Sequence, residues 1–292
     1  MKVQSIRFGF HIGISGGIIR MPDTAKSLEC KTIQIFSRNP RGWEYPPLKK
    51  EDADIVRNKL KEYDIKPVIV HMPYLPNPAS PDKDKYKKSV DSLVTEVRRA
   101  EMLGAEYINI HIGKKMDSKL EDSLKRVIEA VNTAINKTRD SNVVILLENT
   151  AGQGSEIGDR FEHIRIIIDG IEEKARVAAC LDTAHMFAAG YDLRTKDAIK
   201  KVFDEFDNVV GLKWLKCIHY NDSKSAFGSK VDRHWHIGQG EIGKEGMKSL
   251  ITYKKLSHLP FIMETPKKTP NDDPMNLKTV KSFLSTISNL WE

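Results

Sequence analysis

The chain has 292 residues, and its 47 Lys and Arg against 40 Asp and Glu leave a net charge of +7, a mild attraction for polyanions that means nucleic acid only if a site accompanies it. No uninterrupted apolar run exceeds the five residues of 143–147, far short of the roughly 18 a membrane span needs, and MKVQSIRFGF lacks an apolar signal core, so a soluble, cytoplasmic protein is expected. Cys30, Cys180 and Cys217 are odd in number and widely spaced, which argues against a disulfide framework and for small buried hydrophobes in a reducing compartment.

In chain order, RFGFH (7–11) reads as a strand and AKSLEC as a helical segment; TIQIF (32–36) is followed by EDADIVRNKLKEY. PVIVH (67–71) leads into a Pro-rich loop, MPYLPNPASP, and then KSVDSLVTEVRRAEML. YINIH (107–111) precedes LEDSLKRVIEAVNTAINKT, and VVILLE (143–148) runs into the Gly-rich turn TAGQGS. VAACLD (177–182), the helical DAIKKVFDEF, LKCIH (215–219) and PFIME (260–264) complete the series. Short β-branched runs alternating with helical periodicity define a βα unit, and continuously apolar strands belong to a parallel sheet covered by helices. Eight such units in a chain of this length predict a TIM (β/α)8 barrel, one domain over 1–292, with a doubly wound open sheet as the fallback.

Seven of the eight strands end on, or directly before, a side chain able to bind metal: His11, His71, His111, Glu148, Asp182, His219 and Glu264. One histidine at a strand end is ordinarily a hydrogen-bonded core residue. The joint pattern differs, because a barrel gathers its C-terminal strand ends into one mouth. Carboxylates and imidazoles gathered there need cations to neutralise them. Mixed His and carboxylate donors favour Zn²⁺, with Mn²⁺ or Fe²⁺ as alternatives, over the all-oxygen sites of Ca²⁺ or Mg²⁺. His185, three residues after Asp182, and the alternating Asp232, His234 and His236 of VDRHWHIGQGEIG add donors, so two or three ions are implied; spacing alone leaves His234 and His236 as equals.

Four long motifs, LLENTAGQGSEIG, CLDTAHMFAAGYDLRT, HYNDSKSAFGSKVDRHWHIGQGEIG and IMETP, resemble in sequence and order the endonuclease IV family of zinc-dependent apurinic/apyrimidinic endonucleases. The resemblance implies three zinc ions per chain. Glu148 would bridge two of them and position the attacking water, His71 and His111 would complete the first, and Asp182, His219 and Glu264 the second. His185, Asp232 and His234 would hold the third, leaving His236 at a variable position and His11 outside the ligand set. NPRGW and HMPYLPN resemble family loops that insert side chains at the lesion, here Arg41, Tyr74 and Leu75, where a ring or guanidinium replaces a lost stacking partner. The implied partner is duplex DNA with an abasic site, met by a monomer without a membrane. The implied reaction is hydrolysis 5′ to that site, with removal of blocked 3′ termini as a second activity. The runner-up is a single-metal sugar isomerase or epimerase using Glu148, Asp182, His219 and Glu264. A DNA-damage binding protein with a structural metal cluster is a third reading.

Overall fold

The computed structural model describes residues 6–285. Its elements run β1 (Phe8–Ile12), α1 (Met21–Ser27), β2 (Ile33–Phe36), α2 (Lys50–Glu62), β3 (Val68–His71), α3 (Lys83–Leu103), β4 (Tyr107–His111), α4 (Leu120–Lys137), β5 (Val144–Glu148), α5 (Phe161–Gly170) and β6 (Val177–Asp182). The second half holds α6 (Thr183–Ala189), α7 (Lys196–Val209), β7 (Leu215–His219), the short strands β8 (Asp222–Ser223) and β9 (His234–Trp235), α8 (Gly243–Ile251), β10 (Phe261–Met263) and α9 (Asp272–Ser285). Eight parallel strands close in the order β1-β10-β7-β6-β5-β4-β3-β2, the expected TIM barrel, while β8 and β9 pair antiparallel outside it. No helix among the described residues is long and apolar enough to cross a membrane.

All eight expected strands form. The helices differ at their starts: α3 begins at Lys83, upstream of the apolar period, because the Asp82 side chain caps it by accepting from the Lys85 backbone N–H at 2.8 Å. Helix α1 likewise starts at Met21, with Pro22 in its first turn, where a missing N–H costs nothing.

Side chains in a strand alternate between faces. One parity faces the helices and builds the large outer core; the other fills the barrel, where Ile69, Leu146, Ala178, Cys180, Cys217 and Ile262 pack as an apolar layer. Continuing that inward parity towards the C-terminal ends gives Gln34, His71, Asn109, His111, Glu148, Asp182, His219 and Glu264. The apolar layer is therefore the floor of the mouth. The three cysteines are free and buried, and burial pushes the Cys30 thiol up to about 12.

A buried ionic network holds the β2–α2 loop beside that mouth. Arg38, Glu96 and Arg99 are 3, 0 and 8% exposed. Glu96 pairs with Arg38 Nε and accepts from Ser37 Oγ at 2.6 Å. The guanidiniums in turn donate to loop carbonyls, Arg38 to Gly42 at 3.1 Å and Arg99 to Pro46 at 3.3 Å. Removing the single carboxylate leaves two buried guanidiniums uncompensated, a loss on the order of 3–5 kcal/mol for a buried pair. Glu96→Ala is therefore expected to lower unfolding free energy by about that much, measured by denaturant titration, whereas exposed pairs such as Arg165–Asp169 should change it by less than about 1 kcal/mol.

Candidate metal centre

Six of the nine expected ligands stand on or just after barrel strands, and the β5–β6–β7 register sets Glu148 opposite Cys180 and Asp182 opposite His219. Helix α6 starts directly from β6. Asp182 is its N-cap, accepting from the His185 backbone N–H at 2.8 Å, which turns His185 back over the mouth. Asp232 and His234 arrive on the hairpin arm. That arm is tied down by Asp222, whose carboxylate accepts from the backbone N–H groups of Gly240 and Ile242, each at 3.0 Å. A Cβ at Gly240 would lie 2.3 Å from the Ser223 carbonyl, so the glycine of IGQGEIG serves this close approach.

The arrangement centres on Glu148, which is fully buried. Its Oε2 lies 3.4 Å from His71 Nε2 and 3.2 Å from His111 Nε2, while its Oε1 lies 3.1 Å from His219 Nδ1. His219 Nδ1 is also 3.1 Å from Glu264 Oε2. On the other side, His234 Nε2 sits 3.4 Å from Asp182 Oδ2 and 3.5 Å from Asp232 Oδ1, and His185 Nε2 lies 3.3 Å from Asp232 Oδ2. Three donor groups made of His and carboxylate side chains alone result, each with ligand atoms within 4.8 Å of one another: His71, His111 and Glu148; Glu148, Asp182, His219 and Glu264; Asp182, His185 and His234. Glu148 belongs to two groups and Asp182 to two.

Several of the carboxylates and imidazoles gathered here perturb one another strongly. Burial works to raise the Glu148 carboxyl, but the His111 and His219 imidazoles outweigh it and hold the group well below the usual range. Burial likewise opposes charge on His219, yet Glu264 and Glu148 hold it well above an ordinary histidine. For His185 the same burial is overcome by Asp182 and Asp232. The imidazoles thus balance the charge of the buried carboxylates around them.

Tautomers supply the test of fit. His71 Nδ1 donates to the Met72 carbonyl at 2.7 Å, His185 Nδ1 to the Asn149 carbonyl at 2.9 Å and His234 Nδ1 to the Glu264 carbonyl at 3.2 Å. With its Nδ1 proton so held, each ring keeps Nε2 as the atom that a metal ion would take, and each Nε2 faces the carboxylates. His219 is reversed: its Nε2 donates to Gln34 Oε1 at 2.8 Å, freeing Nδ1. The Nε2 of His234 is buried with no hydrogen-bond partner, an orphan that a metal ion would satisfy. The residues fit divalent metals of the zinc type.

The other histidines fall outside the cluster. His236 Nδ1 turns to Asn276 Nδ2 at 3.2 Å, so the structure brings His234 and not His236 to the mouth. His11 stands behind Glu264, 3.3 Å from its Oε1. His163 accepts from the Gly158 N–H at 3.1 Å. Tyr74 is 62% exposed at the rim, its ring edge-on to Phe36 at 5.1 Å, and its backbone N–H donates to the Pro40 carbonyl at 3.2 Å, linking its loop to the one carrying the exposed Arg41. Leu75, half-buried, lines the adjoining pocket with Tyr74, Lys85, His111 and Lys114.

Residues 22–285 match the family model described as a xylose isomerase-like TIM barrel. A relative from Methanosphaerula palustris, named "Probable endonuclease 4", is 41% identical over 94% of this chain and 97% of its own length. The solved endonuclease IV from Thermus thermophilus superposes with a TM-score of 0.86 at 33% identity, covering 96% of this chain and 99% of its own.

The chain belongs to the endonuclease IV family.

A D-tagatose 3-epimerase-like protein also superposes, with a TM-score of 0.74 over 98% of this chain and 100% of its own, but at 17% identity it shares the fold alone. The mouth of this chain also holds orienting groups that motif reading did not single out. Gln34 Nε2 donates to Glu264 Oε1 at 2.6 Å while its oxygen holds His219. Asn109 donates to Glu148 Oε2, and Asn221 donates to Asp182 Oδ2 at 2.6 Å. Asn221 Oδ1 accepts from the Glu264 backbone N–H at 2.7 Å. Gln34 and Asn109 had a signal: each is the lone amide within an apolar strand, at inward parity. Outer partners of this kind are worth about 10–100-fold in metal affinity. Gln34→Ala is expected to weaken metal binding at the group holding His219 and Glu264 by that factor in a chelator competition, while leaving circular dichroism unchanged.

Proposed function

We propose that this chain hydrolyses the DNA phosphodiester on the 5′ side of an abasic site, leaving a 3′-hydroxyl and a 5′-deoxyribose phosphate, and clears blocked 3′ termini by the same hydrolysis. The observation that carries this reading is the sharing of Glu148 between two donor groups, with a third group beside them. Three zinc ions per chain, with Mn²⁺ or Fe²⁺ as alternatives at some positions, would activate water and neutralise phosphoryl charge. His71, His111 and Glu148 would hold the first, Glu148, Asp182, His219 and Glu264 the second, and His185, Asp232 and His234 the third.

The chain's own part is positioning and charge. Glu148, with both oxygens engaged, fixes the spacing of the two groups it shares, and Asn109 keeps it from rotating. The apolar floor beneath excludes bulk water from that side, which strengthens every charge interaction above it. The rim supplies Tyr74, Leu75 and Arg41 as groups able to occupy the space of a missing base, and an abasic nucleotide is cheap to extrude because nothing is unstacked. A single-metal sugar isomerase would use Glu148, Asp182, His219 and Glu264 alone and would leave His71, His111, His185, Asp232 and His234 without a purpose. One domain over 1–292, acting on duplex DNA as a monomer in the cytoplasm, completes the proposal.

Metal-replete protein incubated with a duplex carrying one abasic site should give a single break, with a 3′-hydroxyl upstream and a deoxyribose phosphate downstream by mass spectrometry. An uncut duplex together with turnover of a ketose would favour the isomerase. The rim residues separate from the metals in a second measurement. Arg41→Ala and Tyr74→Ala should keep wild-type metal content yet each lose on the order of 1–3 kcal/mol of preference for abasic over intact duplex, read by competition binding at fixed salt. Full preference in both would mean that recognition rests on DNA bending instead.

A further inference from the structure

The arm that delivers His234 to the metal centre carries Trp235 on its opposite face. Successive strand residues project to opposite sides, so with His234 Nε2 aimed at Asp182 the half-buried indole is directed to the other face of the arm. Two lysines converge on that ring from different parts of the chain. Lys224 Nζ lies 4.4 Å from the ring centroid and Lys268 Nζ 5.8 Å from it. Both lysines are exposed. Among the described residues neither has a carboxylate partner for its ammonium. The nearest acid on the Lys268 loop is already used: Asp272 accepts from the backbone N–H groups of Lys268 and Thr269 at 2.6 and 2.9 Å, and from the Thr269 hydroxyl at 2.8 Å. Neighbouring Lys267, by contrast, is neutralised by Asp273 at 2.7 Å. Arg233, also exposed, spends its guanidinium on the Asp232 carbonyl and adds a third positive charge.

Uncompensated cations held over an aromatic face suit a partner that is both polyanionic and flat-faced. Phosphates answer the lysines, and a sugar or base face answers the indole. We propose that Trp235, Lys224 and Lys268 form a strand-holding contact for DNA flanking the scissile position, separate from the metal centre and from the Arg41 and Tyr74 loops. The proposal rests on the reading of DNA as substrate. Because the contact lies on the far side of the arm from the metals, it grips strand without sensing the lesion. It adds affinity for any duplex and none of the discrimination.

The test uses metal-replete protein and two duplexes, one intact and one abasic with a non-hydrolysable methylphosphonate 5′ to the lesion. Trp235→Ala should weaken binding to both by a similar factor, roughly 5- to 100-fold, so that the ratio between them stays at the wild-type value. Lys224→Ser combined with Lys268→Ser keeps the ring and should make the dependence of log affinity on log salt shallower by about 1.5–2. The chain has four tryptophans, and Trp235→Phe should remove most of the fluorescence change that intact duplex produces in the wild type. Wild-type affinity in Trp235→Ala, an unchanged salt slope in the lysine pair, or an undiminished fluorescence response in Trp235→Phe would each overturn the proposal and leave the indole as a cover for the hairpin. Cleavage of an ordinary abasic duplex by wild type, run in parallel, fails separately if the DNA-repair reading is wrong.

Discussion

Glu148 is the interaction on which the rest depends: a fully buried carboxylate with an imidazole within about 3.5 Å of each oxygen, at the centre of three further carboxylates. Like charges at that separation in a closed cavity are strongly unfavourable unless positive charge lies among them. The protein therefore has to supply both the cation ligands and the means of fixing each ligand's protonation. Backbone carbonyls fix the imidazoles of His71, His185 and His234, and side-chain amides fix His219, Glu148, Asp182 and Glu264. The barrel makes this possible by bringing ligands from distant parts of the chain to one height above a dry floor.

Fold and chemistry are separable here. The same barrel carries epimerase-like proteins at 17% identity, so its closure says nothing about phosphodiesters. The additions that matter are local: α6 starting without a loop from β6, the arm of β8 and β9 pinned by Asp222, and the β2–α2 loop pinned by Arg38, Glu96 and Arg99. Each sets the position of a mouth residue that the barrel alone would leave undefined.

Much of this was legible in sequence because the barrel converts a one-dimensional pattern into a three-dimensional cluster. Strands such as YINIH and VVILLE announce themselves by β-branched runs and end on a ligand, and parity then decides which side chains share the interior. The arm is where periodicity failed. Asp232, His234 and His236 alternate, yet β9 is only two residues long and His236 turns to Asn276 past its end, so equal spacing did not mean equal direction. Resemblance of the whole motif separated the two histidines; spacing could not. Asp222 was passed over because its work is to accept backbone N–H groups from a glycine-rich turn, a tertiary contact no local pattern encodes. The early start of α3 was hidden in the polar run KDKYK, where a cap outweighs the missing apolar period.

The central claim is that Glu148 is shared by more than one metal ion, and metal content tests it most directly. Wild-type protein prepared without chelator should carry close to three ions per chain by elemental analysis, mainly zinc. Glu148→Ala should lose more than one of them while keeping the barrel's circular dichroism. One ion per wild-type chain, or the loss of a single ion in Glu148→Ala with the others retained at full affinity, would contradict the account.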